Sequence, residues 1–107
     1  MSEEDRELLR LAAKAIGGVY DDCGAISTTG GFEYVQWEPL ESDGDALRMA
    51  VKLDISLRLD GDELTGIAHW RRNGKTYRVV GNYRTGNAAE ARRLIVRAAA
   101  ELGKATA

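Results

Sequence analysis

Ile55-Ser56-Leu57-Arg58-Leu59-Asp60-Gly61-Asp62, continued by residues 64–71, Arg72-Asn73-Gly74-Lys75 and residues 76–82, decides the fold. Ile55, Leu57 and Leu59 alternate with Ser56 and Arg58, which is the period of a strand with one buried face. Asp60-Gly61-Asp62 turns the chain into a second strand over residues 64–71. Asn73-Gly74 is the strongest short hairpin signal, because both residues tolerate φ > 0, and it leads into a third strand over residues 76–82. Three strands joined by tight turns predict an antiparallel meander.

Helices are expected on both sides of this meander. Leu8, Leu11, Ala12, Ala15 and Ile16 recur at helical spacing, with Ser2 as cap, Glu3, Glu4 and Asp5 on the positive end of the dipole, and Gly17-Gly18 as the stop. Residues 19–31, rich in Gly, Thr and Asp, read as a loop. Phe32-Glu33-Tyr34-Val35-Gln36-Trp37 has the composition of a short extra strand, closed by Pro39. Ser42 or Asp43 caps a second helix that carries Ala46, Leu47, Met49, Ala50 and Val51. Asn87-Ala88-Ala89-Glu90 reads as a capping box opening a last helix, with Ala91, Leu94, Ile95, Ala98 and Leu102 as its apolar stripe and Gly103 as its end. The fold class is therefore α+β, a three-stranded antiparallel meander packed on helices in the order α-(β)-α-β-β-β-α. Trp37 and Trp70 are assigned to the core, while Tyr20 and Tyr83 fit either core or surface.

The 107 residues suit a single domain, 1–107, and 44% apolar with 30% charged residues is ordinary globular composition. One cysteine, Cys23, rules out an internal disulfide framework. An acidic start and the lack of any apolar run of about 18 residues lead us to expect a cytoplasmic protein with no membrane partner. The net charge of −2 conceals an asymmetry: residues 1–66 hold 6 Lys/Arg against 15 Asp/Glu, and residues 67–107 hold 9 against 2. Either the halves neutralise each other across the fold, which is the reading we favour, or the second half offers a basic face to an anionic partner.

The stretch Trp37-Glu38-Pro39-Leu40-Glu41-Ser42-Asp43-Gly44-Asp45-Ala46-Leu47-Arg48-Met49-Ala50-Val51-Lys52-Leu53 resembles a motif of small bacteriophage proteins termed NinX-like. The likeness continues loosely in Glu7-Leu8-Leu9-Arg10-Leu11-Ala12-Ala13-Lys14-Ala15 and in residues 90–102. It implies a phage or prophage origin and an accessory role during infection, and it carries over no catalytic residue. Physically the motif is a helix start, at which Trp37 and Leu40 can staple against Leu47 and Ala50.

Catalytic chemistry has few candidates. His69 lies mid-strand and Cys23 in a loop, and a lone residue of each type more often marks a sheet position and a small filler than a nucleophile with its base. Asp43-Gly44-Asp45 and Asp60-Gly61-Asp62-Glu63 lack calcium-loop spacing and are explained by a helix start and a turn. No catalytic, cofactor-binding or metal-ligating residue is expected. The order α-β-β-β-α after Ala46 matches the double-stranded-RNA-binding domain, and Arg71, Arg72, Lys75, Arg78, Arg92, Arg93 and Arg97 are its candidate phosphate contacts, with Arg84 nearby. That fold resembles a type opening its last helix with Lys-Lys-x-Ala-Lys, where this chain has Asn87-Ala88-Ala89-Glu90. The expected function is that of a non-enzymatic phage accessory protein that binds a host or phage protein. Nucleic-acid binding through the basic half is the alternative, and homodimerisation stays open.

Overall fold

The computed structural model describes residues 2–106. Its elements are α1 (Glu3–Ala15), β1 (Val19–Tyr20), β2 (Ala25–Ser27), β3 (Val35–Gln36), α2 (Asp43–Leu53), β4 (Ser56–Asp60), β5 (Thr65–Arg72), β6 (Lys75–Asn82) and α3 (Ala88–Ala105). The fold is α+β, with the expected meander present as an antiparallel sheet in the order β4-β5-β6. Asn73 (φ 52°) and Gly74 (φ 79°) make its tight hairpin, between the paired Arg72 and Lys75.

The sheet has one covered face. Ala68, Trp70 and Val79 are buried, and Leu57 packs against the same core, so this parity of residues faces α3. Gly66 and Gly81 are cross-strand partners on that face. A Cβ on Gly66 would stand 2.4 Å from Leu94 Cδ1, and one on Gly81 would stand 3.0 Å from Leu94 Cδ2. The two glycines thus form the socket into which Leu94 of α3 seats, and the helix approaches the sheet more closely than any side-chain pair there would allow.

On its far side α3 is covered by α1 and α2. Asp5 meets Arg93 near the start of both helices, and Leu11 meets Gly103 near the end of both, so α1 and α3 run in the same direction. This corrects the reading of Gly103 as a terminator. The helix continues to Ala105, and Gly103 is buried inside it because a Cβ there would lie 1.9 Å from the carbonyl oxygen of Leu11. Ile95, Val96, Ala98, Ala99, Ala100 and Leu102 are buried as well, so the expected stripe is in fact most of the circumference, as it must be for a helix packed on both sides.

Residues 19–36 hold a second antiparallel sheet, β1-β2-β3, where a loop followed by one strand was expected. The expected strand 32–37 shrinks to Val35–Gln36, and Phe32 is fully exposed. Asp21 Oδ1 accepts from the N–H of Cys23 (2.7 Å) and of Ala25 (3.0 Å), which fixes the β1–β2 turn. Tyr20 belongs to the core and meets Trp37 edge-on, with ring centroids 5.8 Å apart and planes at 65°. Desolvation raises the Tyr20 phenol above its ordinary value, and a backbone hydrogen bond with Gly24 works against that. The staple at the start of α2 is only partly as expected: Trp37 and Ala50 are buried and Leu40 is half-buried, but Leu47 faces solvent.

The α1–α3 crossing yields the first prediction. Gly103→Ala forces the helices apart or bends α1 and should cost about 3 kcal/mol, a fall in Tm of about 15 °C. Gly44→Ala, whose new Cβ meets only the flexible end of Arg48, should stay within about 0.5 kcal/mol of the parent. Thermal unfolding followed by circular dichroism distinguishes them, and equal Tm values for the two variants would refute the close crossing.

Candidate functional site: the open face of the meander

Among the described residues no helix lies over the meander's second face. Alternation puts Ser56, Arg58 and Asp60 of β4, Thr65, Ile67, His69 and Arg71 of β5, and Thr76, Arg78, Val80 and Asn82 of β6 on this side. The register arranges them in rows, Ser56–His69–Arg78, then Arg58–Ile67–Val80, then Asp60–Thr65–Asn82, with Arg71–Thr76 beyond. Ile67 and the half-exposed Val80 therefore form an apolar centre, with Arg58 beside them and Arg71 and Arg78 at one end. A shallow depression of about 320 Å³ lies at the other end, lined by Arg58, Asp60, Glu63, Thr65 and Ile67.

The seven cations singled out from the sequence divide into two groups. Arg92, Arg93 and Arg97 on α3 serve the fold. Arg92 Nε donates to the Leu40 carbonyl (2.9 Å) and its guanidinium also meets Asp43, which ties the segment before α2 to the last helix. Arg93 bridges to Asp5 (2.8 Å) and Glu4 (3.5 Å) on α1, and Arg97 Nη1 donates to the Val80 carbonyl (3.2 Å). Arg71, Arg72, Lys75 and Arg78 on the strands make no ion pair or side-chain hydrogen bond among the described residues. The same holds for Arg58, which the charge split at residue 66 had assigned to the acidic half. Its outward position was readable from the alternation of Leu57 and Leu59.

The helix start that should meet RNA is acidic and internally engaged. Asn87 Oδ1 accepts from the N–H of Glu90 (3.0 Å), but the Glu90 carboxylate accepts from the Arg84 N–H (2.8 Å) and guanidinium (3.3 Å), so the capping box is only half formed. Asp43 and Asp45 are likewise occupied, Asp45 accepting from the Glu38 N–H (2.8 Å) and pairing with Arg48. Asp60 Oδ1 accepts from the Glu63 N–H (3.2 Å) in the β4–β5 turn. Among the described residues no group of three or more His, Cys, Asp or Glu side chains converges as a metal site.

Cys23 and His69 do not form a couple: Cys23 is exposed on the β1–β2 turn of one sheet, and His69 sits mid-β5 on the open face of the other. The small-filler reading of Cys23 is thereby corrected. A broad depression of about 720 Å³ between the hairpin tip and the last turn of α3 exposes Tyr77, stacked on the buried Trp70 at 5.9 Å and 16°, with Arg72, Glu101 and Lys104 around it. Tyr83 is half-buried and its hydroxyl accepts from the Gly86 N–H (3.1 Å). Among the described residues no helix is long and apolar enough to cross a membrane. No protein-family model matches the chain, and neither does any curated protein or solved structure.

The division between engaged and free arginines is testable in unfolding experiments. Arg92→Ala strips a partner from the Leu40 carbonyl and from Asp43 and should cost about 2 kcal/mol. Arg71→Ala and Arg78→Ala should each change stability by no more than about 0.5 kcal/mol. Urea denaturation measures all three, and a cost at Arg78 equal to that at Arg92 would contradict the division.

Proposed function

We propose that the chain is a non-enzymatic binding protein whose working surface is the open face of β4-β5-β6, and that its partner is a protein with an acidic surface. One observation carries the reading: among the described residues Arg58, Arg71 and Arg78 stand unpaired around the half-buried Ile67 and the half-exposed Val80, whereas Arg92, Arg93 and Arg97 are engaged with other elements. An apolar centre edged by arginines matches the chemistry of protein interfaces, where arginine is enriched and lysine depleted. Opposite charge on the partner would speed encounter and fix orientation.

Nucleic acid fits this face less well. Single-stranded binders stack bases on aromatic rings, and the face carries no Phe, Tyr or Trp. The double-stranded-RNA-binding type of the same element order opens its last helix on lysines. Here that place holds Asn87-Ala88-Ala89-Glu90, and Glu90 repels phosphate. The resemblance of residues 37–53 to NinX-like phage proteins supports a partner drawn from an infected bacterium or from the phage itself.

The test is affinity capture from bacterial lysate after nuclease treatment, with the parent, an Arg58→Glu/Arg78→Glu double variant and Arg48→Glu as a surface control. The expected result is one stoichiometric acidic protein, retained by the parent and the control and weakened at least about tenfold by the double variant. Capture that disappears with nuclease would move the function to nucleic acid. A partner held equally by both variants would remove the open face from consideration.

A further inference from the structure

We propose that the partner engages as an added β-strand, an extended acidic segment pairing with the outer edge of β6 in the groove between β6 and α3, with Arg97 as its removable guard and carboxylate anchor. The inference rests on the protein-binding reading above.

Two independent features fix which backbone groups of β6 point outward. The two-residue Asn73-Gly74 turn makes Arg72 and Lys75 a hydrogen-bonded pair, so Thr76, and with it every second residue, points away from β5. Arg97 reaches the Val80 carbonyl from the free side, which gives the same parity. Thr76, Arg78, Val80 and Asn82 therefore direct N–H and C=O groups outward. Among the described residues β6 pairs with β5 alone, and the Arg97 bond to Val80 is the one side-chain hydrogen bond along that edge. An eight-residue edge strand without proline invites pairing, and proteins usually blunt such edges with charge.

The guard belongs to a groove. A depression of about 440 Å³ runs beside the edge, lined by Val80, Gly81, Asn82, Leu94, Arg93 and Arg97, with Glu90 at one end. Arg97 can lie across the strand because Gly81 has no side chain: a Cβ there would come 2.7 Å from Arg97 Nη1. Its bond to a neutral carbonyl is weaker than one to a carboxylate. A glutamate or aspartate on an incoming strand draws the guanidinium off Val80, and the freed carbonyl then accepts a main-chain N–H from that strand. Main-chain pairing supplies affinity and the alternating side chains supply selection, the inner ones meeting Arg97 and the outer ones Arg78. A second copy is the poorer occupant, because antiparallel self-pairing centred on Arg78 sets the two Arg78 side chains directly opposite each other.

The probe is a library of random twelve-residue peptides displayed on phage and selected on the full chain. Expected are sequences rich in Asp and Glu that bind in extended form and slow amide exchange at Thr76, Arg78 and Asn82 by at least tenfold. Val80→Pro removes one outward N–H without altering any charge and should abolish their binding, whereas Val80→Ala, which trims the same side chain but keeps the N–H, should preserve it. Arg97→Gln, which should leave the far-UV circular dichroism unchanged, should weaken it about tenfold. Acidic peptides that Val80→Pro still binds, but that Arg58→Glu releases, would overturn strand addition and leave the open-face reading standing. A library yielding no acidic binder would overturn strand addition, and capture only of nucleic acid by the parent would overturn both.

Discussion

The whole structure depends on α3 being covered on two sides at once. A helix in an ordinary two-layer domain buries one stripe, but here Leu94, Ile95, Val96, Ala98, Ala99, Ala100, Leu102 and Gly103 are all buried. Two close approaches make this affordable in volume. The cross-strand pair Gly66 and Gly81 admits Leu94 on the sheet side, and Gly103 admits the backbone of Leu11 on the α1 side. With helices stacked on one side only, the sheet's other face stays open. The candidate surface is therefore a consequence of where the core was placed, and it needs no element of its own to present it.

Charge follows the same geometry. The acidic N-termini of α1 and α2 lie beside the first half of α3, and Asp5, Glu4 and Asp43 meet Arg93 and Arg92 there. The halves of the sequence do neutralise each other, as the net charge suggested, but only where helices touch. Each exposed or half-exposed bridge contributes about 0.2–1 kcal/mol. Their larger effect is on what remains, because the strand cations Arg58, Arg71, Arg72, Lys75 and Arg78 have no acid in reach of an ion pair among the described residues. A chain with a net charge of −2 thus keeps one locally basic surface.

The meander and the three helices were legible because each is long enough for its period to show. Ile55-Ser56-Leu57-Arg58-Leu59 and Asn73-Gly74 fixed strands, parity and turn together. The small sheet β1-β2-β3 was not legible, since strands of two or three residues have no measurable period and are held by Asp21 and the Tyr20–Trp37 contact. Gly103 misled for a different reason. A glycine near a helix end signals termination through its backbone freedom, but this one is selected for what it lacks, a Cβ facing Leu11. The candidate cations were all named apart from Arg58, yet no sequence pattern distinguishes Arg93, bound to α1, from Arg78, free on a strand. That difference arises from contacts 88 residues apart in the chain.

The element order α2-β4-β5-β6-α3 matches the double-stranded-RNA-binding domain, but the charges it carries differ from that type at the start of the last helix. The same order places a turn and a helix start at one end of the domain, and whichever charges occupy those two places decide what can approach. Here the Asp60 carboxylate accepts the Glu63 N–H within the turn, and Glu90 holds the Arg84 guanidinium and N–H. These acids stabilise the loops and make that end of the domain locally negative. The cations without an ion pair among the described residues stand instead on the sheet's open face and along β6, where the backbone itself has donors and acceptors to offer. Topology supplies a scaffold, and it is the residues that the scaffold leaves unpaired, not the element order, on which our proposal for the working face rests.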